Sequence, residues 1–348
     1  MTGNDGTGER RRRWATLVLT VLGALLAVLV PVAPAAAATC TSREMFVVAH
    51  EDDDLLFISP DLLHATTSGV CVTTVYVTAG DRGAGQTYWR GREQGENAAY
   101  AQMAGVANTW SQSTTSANGH AITTFTLTGN PNVRQVFLRL PDGNTNGSGF
   151  GTYGSQSLQK LWSGSIRTMQ PVDESAGYTR QGLIDTLAAL MTTLQPSVIH
   201  ALDYVGALGD GDHSDHHVSA YFARQAHLSY TTAHTFTGYE GYGTSGKPQN
   251  VFGADLSAKK AAFYTYGQYD SRVCVSDQDC VGTGYDAWLP RQYTVGSETG
   301  GGNRAPVASA GTDQVVTRAR RGNSTGRRTD ARQAPKALEP TTPATRPT

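Results

Sequence analysis

Cysteine is scarce, with four in 348 residues, which excludes a miniprotein held together by disulfides alone. No Cys-x-x-Cys pair occurs, which argues against a cysteine zinc knuckle. Charge is also scarce, at 16% against 39% hydrophobic residues, so the chain is not wholly disordered. After Ala38 no apolar run is long enough to cross a bilayer, which excludes a multispan membrane protein. No internal repeat is visible. The net charge of -1 hides an uneven distribution: residues 1–38 carry +2, residues 317–348 carry +6, and residues 39–316 carry -9. An acidic central region argues against nucleic acid as a partner. The length suits one large domain or two ordinary ones.

Arg10 to Arg13 precede an apolar run from Trp14 to Val30, and Ala36-Ala37-Ala38 follows. A basic, then apolar, then small-residue order reads as a secretory signal over residues 1–38, with an uncleaved anchor as the alternative. The general and twin-arginine export routes both stay open. Export predicts an extracellular protein with no membrane span after cleavage. It also makes Cys40, Cys71, Cys274 and Cys280 a disulfide set. Three pairings are open, of which Cys40–Cys71 with Cys274–Cys280 is the simplest.

Strands are expected at Glu44–Ala49, Cys71–Val77, Ile122–Leu127, Val133–Leu140 and Ser197–Leu202. Helices are expected at Arg92–Gly105, Tyr178–Leu194, Asp215–Leu228 and Ala258–Tyr266. Alternation of largely apolar strands with helices predicts an α/β fold with a mainly parallel sheet covered on both faces. The domain is expected over residues 39–298. Residues 299–316 read as a glycine linker and the truncated opening of a PKD-like repeat. Residues 317–348 read as a disordered basic tail.

Two segments carry chemistry. His50-Glu51-Asp52-Asp53-Asp54 ends the first expected strand, where sites gather in parallel sheets. Asp212-His213-Ser214-Asp215-His216-His217 opens a helix after a later strand. His213 and His216 are three apart and can face one pocket. Imidazoles and carboxylates at this density suit zinc or a similar divalent ion better than packing.

Together the two segments resemble the paired signatures of the PIG-L/LmbE-like zinc-dependent N-deacetylases. That family has His-Pro-Asp-Asp after its first strand and His-Pro-Asp-His much later. Here the segments are His50-Glu51-Asp52-Asp53 and His213-Ser214-Asp215-His216, so Glu51 and Ser214 replace the prolines. The Thr78-Ala79-Gly80-Asp81 turn, Arg92 with Glu96, and Leu140-Pro141-Asp142-Gly143 extend the likeness over about residues 43–270. The resemblance implies a Rossmann-like three-layer sandwich. It implies His50, Asp53 and His216 as ligands of Zn2+ or another divalent metal. It further implies Asp52 as general base and His213 as acid or oxyanion partner. Asp215 is expected either to orient His213 or to cap the helix. Arg92 and Asp142 are candidate substrate contacts, with a surface ion pair and a turn as their plainer readings. The implied reaction removes acetyl from an N-acetylated amino sugar. The alternative is a carbohydrate-binding or surface-interaction protein with a structural metal.

Overall fold

The computed structural model describes residues 40–302. The expected signal segment, the PKD-like start and the basic tail lie outside them. In chain order the principal elements are β1 (Arg43–Val48), α1 (Asp53–Phe57), α2 (Asp61–Thr67), β2 (Cys71–Thr78), α3 (Gln86–Met103), β3 (Trp110–Ala117), β4 (His120–Leu127) and β5 (Val133–Leu140). Then come α4 (Leu158–Ser163), β6 (Thr168–Met169), β7 (Tyr178–Thr179), α5 (Arg180–Leu194), β8 (Val198–Ala201), α6 (Ser214–Ser229), β9 (His234–Tyr239), α7 (Gly253–Gly267), α8 (Asp277–Cys280), α9 (Tyr285–Trp288) and β10 (Thr294–Gly300).

The main sheet runs β10-β9-β8-β1-β2-β5-β4-β3. Its centre, from β9 across β8, β1 and β2 to β5, is parallel. The remaining pairs, β10 with β9, β5 with β4 and β4 with β3, are antiparallel. Met45, Phe46, Val47 and Val48 of β1 are all fully buried, as a strand with both faces covered requires. One helical group contains α2, α3 and α7, and another contains α4, α5 and α6. The architecture is the α/β fold expected.

Three strands of the main sheet escaped the sequence reading. In β3 most residues are hydroxylic or polar and exposed, and β10 is rich in Thr, Gly and Ser. Both are edge strands, so one side of each meets solvent and no apolar pattern is needed. β9 is short and alternates threonine with aromatic or small residues. Thr299 and Gly300 pair with Thr235 and His234, so the expected boundary at residue 298 falls inside a strand. The helix expected from Tyr178 begins two residues later, because Tyr178 and Thr179 pair with Met169 and Thr168. Thr179 then caps α5, its Oγ1 accepting from the Gly182 N–H at 2.9 Å. Both disulfides of the simplest pairing are present, Cys40–Cys71 and Cys274–Cys280. Among the described residues no helix is long and apolar enough to cross a membrane.

α3 and α7 approach closely at Gly95. A Cβ there would lie 2.7 Å from the Tyr266 ring and 2.9 Å from the Tyr266 carbonyl oxygen. Gly95→Ala is therefore expected to cost about 1–3 kcal/mol of stability by overpacking. Calorimetry should record a thermal midpoint lower by several degrees, and an unchanged midpoint would refute this contact as a tight one.

Candidate active site

The connection after β1 leads to β2 on one side of it, whereas β8 lies on the other side and leads away to β9. Two neighbouring parallel strands whose connections part in this way open a crevice beyond their carboxyl ends. His50–Asp54 follows β1, and the second cluster lies between β8 and the first turn of α6. Fold topology, not sequence proximity, brings them together.

Asp53 joins two imidazoles. Its Oδ2 accepts from the His50 backbone N–H at 2.7 Å and lies 3.4 Å from His50 Nδ1. Its Oδ1 lies 3.0 Å from His216 Nε2. The far nitrogen of each ring faces a second carboxylate: His50 Nε2 is 3.4 Å from Asp215 Oδ2, and His216 Nδ1 is 2.8 Å from Asp212 Oδ1. His213 closes the group, with one ligating atom from each of His50, His213 and His216 lying within 4.8 Å of the others. Imidazoles that turn one nitrogen inward and hold the other on a carboxylate suit a divalent ion. The electrostatics favour positive charge here. Burial alone would lower the His216 pKa, but Asp53 and Asp212 reverse this and raise it to about 10. Burial would raise Asp53, yet His216 and His50 hold it well below the usual carboxylate range.

Asp52 precedes α1 with a φ of 114°. A non-glycine residue held there costs of order 1–3 kcal/mol, and such strain clusters at functional sites. Its carboxylate Oδ1 accepts from Arg92 Nη2 at 2.8 Å. Burial raises the carboxyl to about 7, with Arg92 opposing the rise and Asp53 and Asp270 adding to it.

Arg92 is 4% exposed, and every guanidinium nitrogen is engaged by protein. Nε donates to the Tyr266 hydroxyl at 2.6 Å and lies 3.1 Å from Asp270 Oδ2. Nη1 donates to the Gly80 carbonyl at 2.6 Å, and Nη2 donates to the Glu51 carbonyl as well as to Asp52. This arrangement holds Arg92 against Asp52 at the lining of the cleft. The plainer expectation, a surface pair with Glu96, fails: Glu96 is buried and takes its bond from the Tyr76 hydroxyl at 2.8 Å.

Two further expectations are redistributed. His213, not Asp215, caps α6: its Nδ1 accepts from the Asp215 N–H at 3.2 Å. The ring proton therefore lies on Nε2, 3.7 Å from Asp142 Oδ1. Burial, followed by His50 and His216, pushes the His213 pKa well below its ordinary value. The side chain of Asp215 accepts from the Gly143 N–H at 2.6 Å and backs His50, while remaining 4.0 Å from His213 Nδ1. Asp142 lines the cleft, held by its own backbone N–H on Asp81 Oδ2 at 2.7 Å. His217 turns away from the group, its Nδ1 3.0 Å from the Asp203 carbonyl oxygen.

The cleft above these residues has a volume of about 740 Å3. Much of its lining comes from late residues that the sequence reading left without a role: Tyr242, Asp270, Arg272, Tyr285 and Trp288. Tyr242 stacks on Trp288 with centroids 4.5 Å apart and an interplanar angle of 11°. Phe57 meets the same indole at 5.9 Å, so the three rings form an aromatic wall. No periodicity marks these positions. The local signal was the small disulfide loop at Cys274–Cys280, just before the four-residue helix α9.

Among solved structures, the chain is similar to an N,N'-diacetylchitobiose deacetylase from Pyrococcus horikoshii. The identity is 13%, the match covers 86% of this chain and 94% of that one, and the TM-score is 0.44. It is also similar to a deacetylase of the teicoplanin biosynthesis pathway, at 15% identity, 66% and 85% coverage, and a TM-score of 0.38. A third is GalB, a 4-carboxy-2-hydroxymuconate hydratase from Pseudomonas putida, at 13% identity, 77% and 100% coverage, and a TM-score of 0.39. No curated protein sequence matches the chain. The family model described as PIG-L, GlcNAc-PI de-N-acetylase, matches residues 45–227. That span exceeds half of the chain and holds every residue of the two clusters, so the protein belongs to the PIG-L (GlcNAc-PI de-N-acetylase) family.

Proposed function

We propose that the protein is an exported, metal-dependent N-deacetylase acting on an N-acetylated amino sugar in a glycan or glycoconjugate. The observation that carries the reading is a division of labour within one cleft. Asp53 contacts both His50 and His216, whereas the adjacent Asp52 is turned by its strained backbone onto Arg92. In this reading His50, Asp53 and His216 hold the divalent ion, and Zn2+ fits the donor types. The ion supplies Lewis acidity and an acidified water to an otherwise unreactive amide.

The chain's own residues supply the proton chemistry. Asp52 is the general base that takes the proton of the attacking water and returns it to the departing amine nitrogen as the amide C–N bond breaks, and Arg92 fixes its carboxylate. His213 offers its Nε2–H to the oxyanion of the tetrahedral intermediate as a neutral donor. Asp215 keeps His50 oriented, and Asp212 does the same for His216. Asp142 stands near His213 Nε2 and remains a candidate contact for substrate. The strain at Asp52 and the ring orientation of His213 favour this enzyme over a binding protein with a structural ion, which needs neither.

The direct test is acetate release from a panel of N-acetylglucosamine-containing glycans, with added zinc and with chelator. Release only with metal supports the reading, whereas a folded, metal-loaded protein that releases none across the panel would overturn it. The aromatic wall is the proposed sugar platform. Trp288→Ala should raise KM about tenfold with kcat within about twofold, because about 1.4 kcal/mol of uniform binding is lost. Trp288→Phe should restore much of it. A fall in kcat with KM unchanged would remove Trp288 from sugar binding.

A further inference from the structure

We infer that the loop between β8 and α6 carries a second divalent-cation site, built from Asp203, Asp210 and His217. One ligating atom from each of the three lies within 4.8 Å of the others. His217 is fully buried and Asp203 is 8% exposed, while Asp210 faces solvent and gives an ion a way in.

The ring of His217 is oriented as a ligand is. Its Nδ1 lies 3.0 Å from the Asp203 carbonyl oxygen, which can only accept, so Nδ1 carries a proton. Nε2 then points at Asp210 Oδ1, 3.1 Å away. In the neutral ring that nitrogen presents a lone pair to a carboxylate, and a cation between them satisfies both. Asp203 is preset as well. Its Oδ1 accepts from the N–H groups of Val205 and Gly206 at 2.7 and 2.8 Å, which leaves Oδ2 for the cluster.

Gly206 keeps the space open. A Cβ on it would sit 2.6 Å from Asp203 Oδ2, 2.9 Å from Asp210 Oδ2 and 2.5 Å from His217 Cε1. Two carboxylate oxygens thus border one small volume, with an imidazole beside it. One imidazole with two carboxylates is a donor set for Zn2+ or a similar ion, with water completing the coordination. The site would also brace its neighbour. Asp210 Oδ1 accepts from the Asp212 N–H at 3.0 Å, and Asp212 holds His216.

The test counts metal. The purified protein is stripped with chelator, loaded with Zn2+, freed of excess by gel filtration and assayed for bound zinc by elemental mass spectrometry. Wild type should hold two equivalents. Asp210→Ala and Gly206→Ala should each hold one, His216→Ala one, and the Asp210→Ala/His216→Ala double variant none. Asp210 is exposed, so its removal does not open the core, and circular dichroism checks the fold of Gly206→Ala. If His217 is simply a protonated ring paired with Asp210, wild type holds one equivalent and the proposal fails. It also fails if Asp210→Ala still holds two. Two equivalents retained by His216→Ala would instead overturn the ligand set proposed for the active site and leave this one standing.

Discussion

Asp52→Asn is expected to leave zinc content at the wild-type level and to lower acetate release by about 10²–10⁴-fold, the usual worth of a positioned general base. The substitution is nearly isosteric. The amide oxygen can still accept from Arg92 Nη2, now 2.8 Å from Asp52 Oδ1, so the backbone at φ 114° keeps its anchor. What is lost is the basic oxygen alone. The Asp52 carboxylate bonds to Arg92 and not to His50 or His216, whereas Asp53 contacts both, so the metal-binding groups should not register the change. The measurement is a pair: bound zinc and steady-state acetate release on the same preparation. Wild-type turnover in the variant would strike Asp52 from the mechanism. Loss of zinc together with activity would mean that Asp52 belongs to the ligand set.

His216→Ala should abolish activity by the other route, by weakening zinc binding at the main site by more than about 100-fold, beyond the effect of losing an outer-shell partner. Nε2 of His216 meets Asp53 and Nδ1 meets Asp212, so the substitution also takes one partner from each carboxylate, that of Asp53 in the buried interior. Breaking a buried pair of this kind costs about 3–5 kcal/mol, so a lower thermal midpoint should accompany the metal loss. A companion variant separates two donor sets. His213 converges with His50 and His216 as closely as a ligand would, yet in the proposed mechanism it is a hydrogen-bond donor. His213→Ala should therefore keep the zinc and lose turnover. Zinc lost with His213→Ala but retained with Asp53→Asn would exchange the two roles.

The sequence made the centre legible because its chemistry is concentrated. His50 to Asp54 and Asp212 to His217 pack imidazoles and carboxylates beyond what a core tolerates, and each follows a strand. The fine assignments were less legible because they depend on ring orientation. Asp215 stands two residues from His213, so sequence proximity pairs them, yet its carboxylate crosses to His50, 165 residues away. The spacing of Arg92 and Glu96 on one helix suggests a surface pair, but Tyr266 and Asp270 draw the guanidinium inward. β3 and β10 were hidden by the composition that suits a sheet edge. Tyr285 and Trp288 sit on a helical turn too short for any period to emerge.

The family match stops at residue 227, whereas Tyr242, Tyr285 and Trp288 of the cleft wall all lie beyond it. Apart from Phe57, which follows the first cluster directly, the aromatic wall thus belongs to a separate stretch of polypeptide from the reacting groups. Exchange of residues 240–290 between relatives would re-aim one hydrolytic centre at a different sugar without touching a metal ligand. The exchanged stretch must bring its own partners for Arg92, since Tyr266 and Asp270 lie within it. A chimera lacking them would bind its new substrate and turn it over slowly.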